Sequence, residues 1–320
     1  MTLSANVAEK FTKYLVHPGP EVAAYEAAAT VSDLREQAVR APHYVGEITG
    51  LTAAAEQAKQ VPVFVVDRAR WAGEVGKFVD AMLRRTQDAR FGLIGGIASA
   101  PMLAFAATKV LGQFDSFGAN VDTIDTNLFD DTAAVDITKT KLMLVAPNIA
   151  RFRASYNLDQ RDVALWVCVH EMTHAVQFIQ APWLEKYLLQ QVDLVFQSDE
   201  PDLGSATAQV QNVMSVLEGH AQYVMNTVPL QAMPSRNAII RSLAKKRENT
   251  SLIQSFLTKL FGFNHKAEQY RRGEDFVNYV VEHAGMEAFN RVWDAPENLP
   301  SSAEFADPSL WLARLEIEVG

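Results

Sequence analysis

The residues with the most evident chemistry lie between 167 and 178, where the sequence reads VCVHEMTHAVQF. His170 and His174 are four positions apart, so on a helix both project from one face and can reach a single tetrahedral metal ion. Glu171 lies about 100° round the helix from His170, where its carboxylate can take a proton from a water that zinc activates. The pattern therefore predicts a zinc site with Glu171 as the general base.

Two histidines on a helix can also be hydrogen-bonded inside a core without a metal, and a pattern with three fixed positions occurs by chance. The setting favours the metal, because two uncharged imidazoles on a buried face need partners. The helix itself has clear signals, with Asn157 or Asp159 as its N-cap and Pro182 as its stop. The apolar run KLMLVAPNI at 141–149, which is typical of a strand, comes shortly before it.

A third ligand must come from another part of the chain, because a catalytic zinc ion normally takes three protein ligands and one water. The metzincin extension is absent, since residues 177 and 180 are both glutamine. A second amphipathic helix is predicted from about Val210 to Val228. Its helical wheel places Glu218 and His220 on opposite borders of the apolar face, so only one of them can bind the same ion. The helical wheel does not decide which of the two is the third ligand.

Three aromatic or imidazole side chains could assist at such a site. His220, if it is not a ligand, and Tyr223 lie on the second helix and could stabilise an oxyanion or support the metal ligands from behind. Tyr270 could polarise a carbonyl if the fold brings it near the metal. Each of the three also has a simple packing explanation. No binding motif for a cofactor other than the metal is present.

The elements that must position these residues are mostly helical, so we expect a mostly α-helical α+β fold with a small sheet beside the histidine helix. The chain is predicted to form one domain over 1–320, with residues 1–60 as a helical N-terminal extension. Strands are predicted at 61–66 and 141–149, helices at 237–261 and 274–293, irregular connections at 120–140 and 190–206, and an extended tail from Pro296.

Composition excludes several classes of partner. A net charge of -9 and a pI near 5.3 argue against a nucleic acid or an anionic membrane surface. The single cysteine, Cys168, and the lack of a signal-peptide pattern favour the cytoplasm. The uncharged segment 91–108 has the length of a short membrane span, but its glycines, its proline and Lys109 directly after it favour a buried helix.

The order of several short motifs resembles the zinicin type 2 family of proposed zinc-dependent metalloproteases. Some members of that family are labelled as coenzyme F420 biosynthesis-associated proteins. The E-G-H-A-x-Y segment also resembles glutamate-type zincins, in which a glutamate on a second helix completes the zinc site. The motifs are TGL (49–51), VLGQFD (110–115), LVAPNI (144–149), WVCVHEMTHAVQF (166–178), APWL (181–184), LEGHAQYVM (217–225), KAEQYRRGEDF (266–276) and ENLPSSAEFADPSLWLAR (297–314).

The resemblance implies a zincin-like fold in which Glu218 joins His170 and His174 as the third zinc ligand and Glu171 is the base. It also implies that the strand KLMLVAPNI lines a cleft, where an extended peptide adds to the sheet by main-chain hydrogen bonds. The implied function is that of a zinc metallohydrolase, a peptidase that acts on a peptide or protein substrate. Two alternatives are a non-catalytic zinc protein for binding or assembly, linked to coenzyme F420 metabolism, and a metal-free helical scaffold.

Overall fold

The computed structural model describes residues 5–85, 103–116, 137, 139–197, 203–247 and 268–318. The fold is α+β and mostly helical, with a three-stranded sheet, as the sequence predicted. Its helices are α1 (Ala5–Leu15), α2 (Ala24–Thr49), α3 (Thr52–Ala58), α4 (Arg68–Arg85), α5 (Ala146–Tyr156), α6 (Gln160–Gln180), α7 (Trp183–Gln197), α8 (Leu203–Thr227), α9 (Arg236–Arg247), α10 (Glu268–Asn290), α11 (Ser302–Ala306) and α12 (Pro308–Arg314).

The sheet consists of β1 (Val63–Val66), β2 (Gly112–Asp115) and β3 (Lys141–Val145) in the order β1-β3-β2. The central strand β3 pairs in parallel with β1 and antiparallel with β2. Successive side chains of a strand point to opposite faces, so β3 separates two cores. Leu142 and Leu144 lie in the larger core with α6, whereas Met143 and Val145 pack into a smaller one with Trp71.

Helix α6, which contains both histidines, lies at the centre of the larger core. It begins after Asp159, whose side chain accepts a hydrogen bond from the amide of Asp162 at 3.0 Å, so Asp159 is the N-cap of the two candidates. The helix is buried on nearly all sides: most of its residues are apolar, and the polar Glu171, Thr173 and Gln177 are buried with them. It ends at Gln180, two residues before Pro182. This burial fixes the direction in which its polar side chains point.

Helix α2 covers one side of α6. Its residues Leu34, Ala41 and Val45 are completely buried in the same core as α6. The Cys168 sulfur lies 3.6 Å from the carbonyl oxygen of Leu34, so the thiol is sealed between the two helices. Helices α2 and α3 thus pack directly on the histidine helix, whereas α1 packs on α4. The division of the chain into a domain and an extension stays a prediction.

Cys168 is expected to resist thiol reagents in the folded protein. Burial raises the pKa of its thiol far above the usual value, and the nearby carboxylate of Glu171 adds to this effect, so very little thiolate forms. Because it is the chain's single cysteine, alkylation by iodoacetamide can be followed by the mass of the intact protein. We expect no modification of native protein and complete modification in denaturant. Rapid labelling of native protein would contradict the packing of α2 on α6.

Several predicted boundaries were wrong. The predicted strand 141–149 ends at Val145, because Pro147 is in the first turn of α5, where proline is well tolerated. The connection predicted at 190–206 is helical as far as Gln197. The tail after Pro296 is not extended: α11 begins with a capping box in which Ser301 and Glu304 bond reciprocally.

Some predictions fall partly outside the described residues. Of the segment 91–108, only 103–108 is described; residues 103–107 are helical, and Leu103 is buried in the smaller core. Of the irregular region predicted at 120–140 only residues 137, 139 and 140 are described, and the helix predicted at 237–261 is described only as far as residue 247. None of the helices in the described ranges is both long enough and apolar enough to cross a membrane.

Candidate metal centre

Three side chains from two helices converge at one point. His170 and His174 on α6 place their Nε2 atoms 3.2 Å apart. Glu218 on α8 lies against both, with its Oε2 atom 3.6 Å from His170 Nε2 and its Oε1 atom 3.6 Å from His174 Nε2. The side chains are 13–17% exposed, so the cluster is partly shielded but open to solvent. The structure thus brings together the three residues that the resemblance implied.

The cluster is suited to a divalent metal ion. One potential ligand atom from each residue lies within 4.8 Å of the others, and the three belong to His170, His174 and Glu218. Two imidazole nitrogens and a carboxylate form the ligand set of catalytic zinc sites that keep one position for water. A cation bound there would offset the charge of the Glu218 carboxylate, which lies partly buried beside the two imidazoles. The residues present therefore fit zinc.

Glu218 reaches the cluster because α8 packs unusually closely against α10. A β-carbon at Gly219 would lie 2.3 Å from the backbone carbon of Gly273, and one at Gly273 would lie 2.1 Å from the carbonyl oxygen of Ser215. Only glycine permits this approach of two backbones. The contact fixes α8 at the residue directly after Glu218, so helix packing determines where that carboxylate lies.

Glu171 lies against the edge strand β2 and is only 4% exposed. Its Oε2 atom accepts a hydrogen bond of 3.0 Å from the backbone amide of Phe114 on β2. The strand beside the histidine helix is therefore β2, whereas β3, which we expected there, is the central strand. Burial raises the pKa of Glu171 to about 8 together with the charge of Glu218, and the Phe114 amide opposes the rise.

Gly112 leaves the space that Glu171 occupies. A β-carbon at position 112 would lie 2.7 Å from Cγ of Glu171 and 2.8 Å from its Oε1 atom, closer than atoms approach without displacement. The side chain of Glu171 is enclosed, so it has little room to move away. A glycine at this place in β2 is thus a steric requirement of the adjacent carboxylate.

Gly112→Ala is expected to destabilise the protein by about 1–3 kcal/mol through this overpacking. The loss should be smaller in a Glu171→Ala background, because the atoms that the new methyl group meets are then absent. Urea unfolding of the wild type, both single variants and the double variant measures this coupling. Strictly additive losses would show that Gly112 and Glu171 are not in contact.

His220 does not join the metal cluster. It is 0% exposed and packs against the rings of Phe289 and Trp293, with ring centroids 5.0 and 5.4 Å away. Its Nδ1 atom lies 3.1 Å from the side-chain nitrogen of Gln177. Burial lowers the pKa of His220 to about 3, with a smaller contribution from His174, so the ring is neutral. These contacts favour support of the ligands from behind over a direct contact with an oxyanion.

The two tyrosines stay predictions. Tyr223 is half-buried on α8 and packs against the larger core. Tyr270 lies in α10, but its side chain is outside the described residues. Sequence reasoning missed Gln177, Gly112 and the Phe114 amide. Only Gln177 carried a local signal, because a residue three positions after His174 lies on the same helix face.

A mostly helical α+β fold with a small sheet and a His-His-Glu cluster beside a glutamate defines a zincin-like architecture. Residues 4–206 and 194–312 match the family of zincin-like metallopeptidases, and the chain belongs to this family. Membership supports a hydrolase and implies a metal, usually zinc. The link to coenzyme F420 that the resemblance suggested is not shown by this match.

A solved structure has the same fold. It is the crystal structure of a protein from Chloroflexus aurantiacus that is described as a proposed hydrolase with a novel fold. The two chains are 28% identical, the match covers 99% of each, and the TM-score is 0.72. No curated protein matches the chain significantly.

Proposed function

We propose that the protein is a zinc-dependent peptidase whose metal is held by His170, His174 and Glu218. The observation that supports this most is the convergence of these three side chains from two separate helices, with Nε2 of His170 and of His174 3.2 Å apart and each 3.6 Å from a carboxylate oxygen of Glu218. Glu171 directly follows the ligand His170 in sequence, but its carboxylate is hydrogen-bonded to the edge strand β2. The site thus has a ligand set and a separate carboxylate for proton transfer.

In the proposed mechanism, zinc bound at the cluster would lower the pKa of a water molecule and polarise the substrate carbonyl. Glu171 accepts the proton of the attacking water and passes it to the leaving amine. The Phe114 amide holds the Oε2 atom of this carboxylate, which leaves Oε1 as the oxygen for proton transfer. Glu171 is only 4% exposed, so bulk water has little access to that oxygen.

The sheet edge supports a peptide as the substrate. Within the described part of the chain, β2 pairs only with β3, so its other edge has no strand partner. An extended peptide can add to such an edge by main-chain hydrogen bonds, close to Glu171. The proposal includes a peptide or protein substrate and retains the expected location in the cytoplasm.

Metal content tests the proposal. Elemental mass spectrometry of purified wild type should give about one zinc per chain, and both His174→Ala and Glu218→Ala should lose most of it. The exposed residues His43 and Glu47 on α2 provide matched controls, so His43→Ala and Glu47→Ala should keep the wild-type zinc content. Wild type without metal, or a Glu218→Ala variant with full zinc, would refute the proposed site.

A further inference from the structure

Gln177 connects the two helices that carry the candidate metal ligands. It lies on α6, three residues after His174, and is completely buried. Its Oε1 atom is 2.8 Å from His174 Nδ1. Its Nε2 atom is 3.0 Å from the carbonyl oxygen of Leu217 and 3.1 Å from His220 Nδ1, both on α8. One side chain thus contacts a ligand on its own helix and the backbone of the other.

The hydrogen-bonding partners of Gln177 determine the orientation of its side-chain amide. The carbonyl oxygen of Leu217 can only accept a hydrogen bond, so the atom facing it must be the NH₂ group. The other end of the amide, Oε1, can only accept, so His174 must carry its proton on Nδ1. The unprotonated Nε2 of His174 then faces the cluster, as a metal ligand requires.

The same amide holds α8 at Glu218. The Leu217 carbonyl belongs to the peptide group that connects Leu217 to Glu218, so a hydrogen bond to it acts next to the third ligand. The second hydrogen of the NH₂ group points to His220 Nδ1, which must therefore be the acceptor nitrogen of that ring. Phe289 and Trp293 hold the ring in place. Every hydrogen-bonding group of the Gln177 amide is thereby used.

We propose that Gln177 is a positioning residue that selects the metal-binding tautomer of His174 and sets the distance between His174 and Glu218. The part that concerns metal affinity rests on the function proposed above, whereas the tautomer of His174 is a property of the protein without metal. An amide is required, because the site needs an acceptor toward His174 and a donor toward Leu217 on the same group. A carboxylate provides only the first.

Measurements of zinc affinity test whether the site requires the amide of Gln177. Competition with a chromophoric chelator would be measured for wild type, Gln177→Met and Gln177→Glu, with Gln180→Met as the control on the exposed end of the same helix. Partners behind metal-bound histidines typically contribute 10–100-fold in affinity, so we expect Gln177→Met to bind zinc about 10–100-fold more weakly. Gln177→Glu should also be weaker than wild type, because its carboxylate faces the Leu217 carbonyl. Wild-type affinity in both variants would overturn the proposal.

The second measurement is made without zinc. Long-range ¹H–¹⁵N NMR of metal-free wild type with labelled histidines, at a pH where His174 is neutral, reports which ring nitrogen carries the proton. The His174→Ala variant assigns the signal. We expect the proton on Nδ1 in wild type and a mixture of tautomers in Gln177→Met. A wild-type His174 with its proton on Nε2 would refute the role of Gln177 even if zinc binds, whereas absence of zinc binding with the expected tautomer would refute only the proposed function.

Discussion

Glu171→Gln is expected to keep its zinc and lose about 10²–10⁴-fold in kcat/KM, the usual contribution of a positioned general base. Glutamine has the size of glutamate and its Oε1 atom can still accept the Phe114 amide, so the local structure should persist. It cannot accept a proton from water at neutral pH, however. The ligands of the metal are unchanged, so the loss should appear in turnover rather than in metal content.

The measurement is hydrolysis of a peptide found by library screening, with wild type and variant at equal zinc content. Glu47→Gln, an exposed position on α2, is the matched control and should retain full activity. A Glu171→Gln variant that hydrolyses the peptide at the wild-type rate would exclude Glu171 as the base. A variant that also loses zinc would show that this carboxylate contributes to holding the site together.

Gly219→Ala should destabilise the protein by about 3 kcal/mol or more, at the upper end of overpacking effects. The new methyl group would lie 2.3 Å from a backbone carbon of α10, which cannot move unless the two helices separate. Alanine would otherwise favour a helix over glycine by about 1 kcal/mol, so the steric clash decides the sign. Separation of α8 from α10 would also displace the neighbouring Glu218, and we expect zinc affinity to fall as well.

Urea unfolding of metal-free protein gives the stability change without a contribution from zinc binding. Gly73→Ala in α4 is the control. The new methyl group there would lie 3.0 Å from Oε2 of Glu9, its closest neighbour, which is the end of a flexible side chain. That variant should be close to wild type in stability. A Gly219→Ala variant as stable as the wild type would show that α8 and α10 are not in close backbone contact.

The histidine helix could be predicted from sequence because its signals are local. The two N-cap candidates and the four-residue spacing of the histidines lie within one segment; in the structure Asp159 is the N-cap, and the histidines share one face. The choice between Glu218 and His220 could not be made from a helical wheel. It depends on how α8 rotates against α6 and α10, and that rotation is fixed by contacts such as Gly219 with Gly273, which are distant in sequence.

The short strand β2 was missed for a physical reason. Its four residues, GQFD, include glycine and aspartate, which have low strand propensity, and it forms because β3 offers partners from Leu142 to Leu144. The helices of the tail could have been found, since Ser301 and Glu304 have the spacing of a capping box. Gly112 required the structure, because nothing in its neighbourhood of the sequence points to Glu171.

The hydrogen bond between Glu171 and the Phe114 amide limits the register in which a peptide could pair with β2. The Val145 amide donates to the Leu111 carbonyl directly opposite, so in β2 the main-chain groups of Gly112 and Phe114 are the ones that point outward. The Phe114 amide already donates a hydrogen bond to Glu171, the proposed base. A peptide on this edge would therefore align on Gly112 and the Phe114 carbonyl, at a fixed offset from Glu171. In such an enzyme the main-chain register of the bound peptide would determine which bond is cleaved, and the peptide's side chains would have little influence.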